Sequence, residues 1–305
     1  MLESMSDATQ PPVPAAFESL GCDARWVSVE DPGRLAVYRR QGSGVPVVLL
    51  HGFPELAVSW APLAARLEDC WDLWIPDLRG YGQSWAPQER RAYRLSRLRE
   101  DVLAVVAETG AERVHLVGHD WGGAIAWEFA GRHAEQVASL TVVNCPPLEL
   151  LLRTCFRRPA QLRRSWYIAA FQIPGLAEHW IRKDPRAFMR RALKGTAARR
   201  GVFTDEVLEP YEEQAAERGL PGLNYYRAAP RRWRWKGPLL ERPVHLVWGL
   251  EDQALGPWFA EPEGYADRAA NLRVSTLPGV GHWVPHEAPD ELARLLPEGW
   301  LAAEA

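Results

Sequence analysis

What this chain has little of narrows its class before any motif is read. Its 305 residues carry 36 basic and 39 acidic side chains, a formal net charge of −3, so no global positive excess marks it for nucleic acid. No run of 18 apolar residues occurs, which argues against a membrane-spanning helix. The opening MLESMSDATQPPVPAAF has neither the basic start nor the apolar stretch of a secretory signal. A cytoplasmic protein is therefore expected, with residues 1–19 as a leader without fixed structure. Only four cysteines are present, Cys22, Cys70, Cys145 and Cys155, and no two form a C-x-x-C pair. That spacing speaks against a zinc site or a disulfide framework and for reduced, mostly buried thiols. Lysine is nearly missing, with 3 against 33 arginines, which reads as a bias of composition rather than a designed basic patch.

What is present is apolar and aromatic: 47% of residues are hydrophobic and 15 are tryptophan, enough for a large core or a roomy apolar pocket. The runs ARWVSVE (24–30) and RLAVYRR (34–40), separated by DPG, predict a β-hairpin. Buried strands follow in PVVLLHGFP, WDLWIPDLRGYG, VHLVGHD and SLTVVN, with amphipathic helical stretches near 57–67 and 93–108 and a helix directly after Asp120. Continuous apolar strands alternating with helices predict an α/β fold, a parallel sheet covered on both faces, with ligands outside the carboxyl ends of its strands. Between about 147 and 235 the strands stop and helical periodicity takes over; residues 151–240 hold 19 Lys and Arg against 8 Asp and Glu. Strands resume with RPVHLVWG (242–249) and NLRVSTL (271–277), before a terminal helix. The organisation expected is a core over 20–146 and 236–305, interrupted by a helical cap over 147–235. Its arginines are read as solvated helix faces.

The stretch LVGHDWGGAIAW has the outline of a nucleophile elbow, G-x-S-x-G, with Asp120 where a hydrolase usually carries serine. Small neighbours are needed where the backbone of a sharp strand-to-helix turn passes close to its surroundings, and Gly118, Gly122 and Gly123 supply them. A glycine-flanked Asp is also a common turn, so the motif gains weight only from the apolar strand before it, the helix after it and HGFPE upstream. The Trp121 N–H at the helix start and the Phe53 N–H in the HGFPE loop are the expected oxyanion-hole donors. A carboxylate that forms an ester needs a base to activate water, and the base needs an orienting acid. After one late strand come Glu251 and Asp252, and after the next comes His282, in the chain order nucleophile, acid, base.

HGFPE, DLRGYGQS, GHDWGG, WGLEDQAL and GVGHWVPHEAP together resemble the α/β-hydrolase fold, and specifically its soluble epoxide hydrolase branch, from about residue 20 to 300. The resemblance implies a mostly parallel eight-stranded sheet with helices on both faces and an inserted helical cap. It selects Asp252 over Glu251 as the acid and leaves Asn144, after SLTVV, out of that role. It also implies two cap tyrosines that hold the epoxide oxygen. Tyr167 stands four residues before Phe171 of FQIPG, and Tyr226 stands in LNYYR, while Tyr225 beside it is expected to pack. The implied activity is hydrolysis of a small apolar epoxide to a vicinal diol with water alone, without metal or organic cofactor, nucleic acid or membrane span.

Phe53, Trp121, Trp166 and Trp283 are expected to line the pocket. His51 and His119 are read as structural, Glu55 and His286 as surface or supporting residues, and Pro54 as a candidate cis proline. A haloalkane dehalogenase shares the Asp nucleophile and is the alternative reading, though Phe53 lacks the side-chain donor that its halide wants. An Arg after the nucleophile, typical of fluoroacetate dehalogenases, is replaced by Trp121. A serine esterase is disfavoured by Asp120 itself, and a non-catalytic small-ligand binder by the intact Asp252 and His282.

Overall fold

Alternate residues of each central strand enter different layers of core, which is what makes those strands read as unbroken apolar runs. In β3 (Val47–Leu50), Val48 and Leu50 face one side while Val47 and Leu49 face the other. The same split separates Leu116 from Val117 in β5 (Val114–His119) and Val142 from Val143 in β6 (Val137–Val143). The computed structural model describes residues 10–229 and 238–304. Its eight strands are completed by β1 (Asp23–Ser28), β2 (Arg34–Arg40), β4 (Leu73–Pro76), β7 (Val244–Gly249) and β8 (Leu272–Leu277). The order is β1-β2-β4-β3-β5-β6-β7-β8. β2 pairs antiparallel with β1 and β4, and every other pairing is parallel, so the hairpin is an edge extension of a parallel sheet.

The helices Leu95–Glu108 and Trp121–Ala130 cover one face, with Val102, Val105, Ile125 and Phe129 in its core. The other face is covered by Trp60, Leu63, Leu292, Leu296 and Trp300, drawn from the segment after β3 and from the terminal helix Pro289–Glu304. All ten residues of Trp121–Ala130 are buried, which explains its lack of an exposed polar stripe.

Between β6 and β7 lie the helices Leu148–Arg157, Pro159–Arg164, Trp166–Phe171, Leu176–Lys183, Pro185–Ala192, Asp205–Glu217 and Leu223–Ala228. Local chemistry sets their starts: the Asp184 carboxylate accepts the Ala187 N–H at 2.9 Å with Pro185 at the first helical position, and the Thr204 hydroxyl accepts from Val207. The expected boundary at 235 and 236 lies outside the described residues. Among the described residues no helix is long and apolar enough to cross a membrane.

Part of the segment read as a leader is packed. Residues 1–9 lie outside the described residues, but Ala15–Glu18 forms a helical turn whose Phe17 is fully buried, its ring 5.0 Å from that of Tyr38. A four-residue turn is too short to show periodicity, and one large apolar ring anchors it. Phe17→Ala is expected to lower the free energy of unfolding by about 3–5 kcal/mol, read from urea titration. A change within a few tenths would show that the turn adds nothing to the fold.

Candidate active site

The carboxyl ends of β3, β5, β7 and β8 converge on one region. At the end of β5 the chain turns sharply into its helix, and Asp120 at the apex has φ 49° and ψ −121°, a conformation that costs a non-glycine residue roughly 1–3 kcal/mol. Close packing enforces it. A Cβ on Gly122 would run into the carbonyls of Leu50 and His51, and one on Gly52 would meet the Asp120 side chain. The strain turns the carboxylate out of the sheet toward the HGFP loop, where Asp120 Oδ1 accepts the Phe53 N–H at 2.8 Å. Among the described residues no hydrogen bond from the Trp121 N–H to this carboxylate occurs. The Phe53–Pro54 peptide is cis, as expected for this loop.

Asp120 Oδ2 faces His282, whose Nε2 lies 3.5 Å away; the other ring nitrogen, Nδ1, is 2.7 Å from Asp252 Oδ2. The three residues read as nucleophile, base and acid are thus brought together in that spatial order. Asp252 is fully enclosed and accepts the N–H groups of Ala254 and Leu255 on Oδ1 and the Asn144 amide on Oδ2 at 2.7 Å. Burial pushes its carboxyl up, but His282 and these donors outweigh that and hold it below the usual carboxylate range. Burial also works against a charged His282, yet Asp252 and Asp120 prevail and raise it well above the ordinary imidazole value of 6.5. Asn144, left aside in the sequence, supports the acid: besides donating to Asp252 it accepts the Gly249 N–H at 2.8 Å, from the end of β7.

A cavity of about 830 Å³ opens over Asp120 and His282. Phe53, Trp166, Tyr167, Tyr226 and Trp283 line it, with Phe171, Trp180 and Phe188 adding to an apolar wall. Trp166 is 61% exposed, so the large indole stands at the rim rather than inside. Trp121 does not line the cavity, contrary to expectation. It leaves the first turn of its helix sideways, and its ring packs edge-on against Tyr225 and Tyr226 at centroid distances of 5.5 and 5.1 Å.

Tyr167 and Tyr226 face each other edge to face, 6.0 Å apart. Their helices are laced together: Gln172 donates to the Tyr226 carbonyl at 2.9 Å, and Arg227 donates to the Phe171 carbonyl at 2.8 Å and forms a bidentate pair with Glu178. Burial raises both phenols, Asp120 raises them further, and both keep their protons at neutral pH. Tyr225 points away and donates to the Arg79 carbonyl at 2.8 Å, as its adjacent helical position predicts. The inserted helices are also tied to the acid loop. Arg164 donates to the Asp252 carbonyl at 2.6 Å, and Gln161 bonds both the Ala254 carbonyl and the Gly256 N–H.

His51 is structural as expected: Nδ1 bonds the Gly52 carbonyl and Nε2 accepts the Leu78 N–H, while burial holds the ring below its ordinary range. Glu55 and His286 are not at the surface. Both are buried beneath the site, with His286 Nε2 3.0 Å from the Tyr211 hydroxyl and pushed down to about 4 by burial.

The α/β hydrolase fold family model matches residues 45–289. The chain is similar to epoxide hydrolase A of Mycobacterium tuberculosis, 33% identical over 87% of this chain and 93% of that one. It is also similar to the AB hydrolase superfamily protein YfhM of Bacillus subtilis, 32% identical over 84% of this chain and 90% of that one. Among solved structures, a Bacillus megaterium epoxide hydrolase in complex with an inhibitor superposes with a TM-score of 0.82 at 26% identity, over 90% of this chain and 99% of that one. The chain belongs to the α/β hydrolase fold family and is epoxide hydrolase-like within it.

The charges around His282 make a direct prediction. In the protein its imidazole stays protonated as pH rises past 6.5, and Asp252→Asn should lower its titration, because the larger of its two opposing charges goes while burial and Asp120 remain. Ring-nitrogen NMR reads this. An unchanged midpoint would show that Asp252 does not set the charge of the base.

Proposed function

We propose that the chain hydrolyses an epoxide to a vicinal diol through a covalent ester on Asp120, with the inserted helices as the cap that closes the site. The observation that carries the reading is one cavity lined on one side by a carboxylate beside an imidazole, and on the other by two protonated phenols. Asp120 Oδ1 is occupied by the Phe53 N–H, which leaves Oδ2 to attack the epoxide carbon. As the C–O bond breaks, Tyr167 and Tyr226 hydrogen-bond the departing oxygen and one of them protonates it. Attack also removes the charge of Asp120, one of the causes holding both phenols up, so their acidity rises as the proton is needed.

The ester carbonyl then belongs to Asp120 Oδ1. His282, oriented by Asp252, first gives its own proton to the phenolate and then takes one from water, which adds to the side-chain carboxyl carbon; the oxyanion forms on Oδ1, at the Phe53 N–H. Collapse releases the diol with the original Oδ2 and leaves the water oxygen on Asp120. The second proton of that water passes to the departing diol oxygen, and His282 is left protonated as in the free protein, which closes the cycle. Loss of the Asp120 charge on esterification lets His282 titrate lower than in the free protein, which suits a base needed only in this second half. A serine would form an ether at the same carbon, and that bond does not hydrolyse, which is the chemical reason for a carboxylate at the elbow. Dehalogenation has less support, since the Phe53 N–H is taken and Trp121 is withdrawn from the cavity.

Purified protein offered styrene oxide should yield the diol, and offered a bromoalkane should release no bromide; bromide without diol would overturn the reading. A single turnover in heavy-oxygen water should give unlabelled diol and label on Asp120, read by peptide mass spectrometry. Label in the first diol would mean direct attack by water. Replacing Tyr167 and Tyr226 together by Phe should cut turnover on the order of 10³-fold or more with circular dichroism unchanged. Retained activity would remove both from the chemistry.

A further inference from the structure

His119, next to the proposed nucleophile, is fully buried and has both ring nitrogens engaged. Nε2 lies 2.8 Å from the carbonyl oxygen of His282, and a carbonyl only accepts, so Nε2 carries a proton. Nδ1 lies 2.7 Å from Glu55 Oε2. That one oxygen also accepts the Gly52 N–H at 2.9 Å. Burial favours a protonated Glu55, but His119 outweighs it and the carboxyl is held at about 2, so the shared proton stays on the ring. The ring thus donates through both nitrogens and Glu55 Oε2 takes two donors, while Glu55 Oε1 is buried without a hydrogen-bond partner.

We propose that the buried Glu55–His119 ion pair is a positioning clamp that holds the oxyanion loop, the elbow and the base loop in register for hydrolysis of the ester. Through Glu55 it fixes Gly52, whose neighbour Phe53 supplies the N–H on Asp120. Through the backbone it fixes the elbow, because His119 is covalently joined to Asp120. Through Nε2 it fixes the backbone of His282, whose ring lies 4.9 Å from that of His119. The titratable groups around His119 are Glu55 in the HGFPE loop, His51 at the end of β3, Asp120 on its own segment, and His282 and His286 from the last loop and turn. Of their side chains, among the described residues, only that of Glu55 bonds the ring; His282 does so through its backbone carbonyl.

Glutamine cannot replace Glu55. With its oxygen at the Oε2 position it would leave the imidazolium without a counter-charge; with its nitrogen there it would face the Gly52 N–H donor to donor. The counter-charge is lost in the first case and a bond of the clamp in the second, although the shape is nearly unchanged.

The inference rests on Asp120 as the ester-forming residue, and the test separates the two. In the wild-type protein, ring-nitrogen NMR at pH 7 should show a proton on each His119 nitrogen, as bonding to a carboxylate and to a carbonyl requires; a bare ring nitrogen would overturn the clamp. Glu55→Gln should lower kcat about 10–100-fold with KM changed less than about 3-fold, and should let the alkyl ester accumulate, because the oxyanion donor and the base serve the second step. Ser139→Ala in β6, which removes a buried hydrogen bond to His115 in β5, is the control for lost stability alone. If Glu55→Gln lost stability like the control while ester hydrolysis kept its wild-type rate, the pair would be structural only. If no ester formed in the wild-type protein, the reading of Asp120 would fail instead.

Discussion

The constraint on which the rest depends is the strained backbone at Asp120. A residue with φ 49° persists only when its surroundings over-determine it, and here three glycines and the end of β3 do so. Strand, loop and helix can come this close only where side chains are missing, and the closeness is what puts the carboxylate within reach of a loop amide and a ring from other parts of the chain. The packed parallel sheet supplies the rigidity, its interior strands buried on both faces by helices.

Charge is distributed around that turn with unequal solvation. Asp252 is enclosed and met by four donors, so it remains a fixed anion, whereas Asp120 has one carboxylate oxygen held and one presented to the cavity. Two carboxylates with one imidazole between them therefore differ in role because they differ in hydrogen bonding, not in residue type. Glu55 and His119 form a second acid–imidazole pair below, with no access to the cavity lining.

The sheet and the elbow were legible in the sequence because they rest on local requirements: apolar runs for strands buried on both sides, glycines where backbones touch, and a chain order that places loops at one end of a parallel sheet. The positions of Tyr167 and Tyr226 were legible only through the family resemblance, since no periodicity marks a hydroxyl as facing a cavity. Trp121 was misjudged because neighbouring positions on a helix start point in different directions, and its indole goes sideways into Tyr225 and Tyr226. Glu55 and His286, read as surface or supporting residues, are buried ones, and their burial was not legible because the segments that cover them are distant in sequence. Phe17 was missed because a single turn carries no pattern to detect.

Arg164 belongs at once to the wall of the cavity and to the hydrogen bonding of the Asp252 backbone. On the proposed mechanism, breadth of substrate and strength of the base are therefore not separate variables on that side of the pocket. Any variant that trims Arg164 to admit a bulkier molecule also loosens the loop that orients His282. An engineer seeking a wider site has a cleaner choice at Phe188 or Trp180, which line the same cavity and share no hydrogen bond with the acid among the described residues.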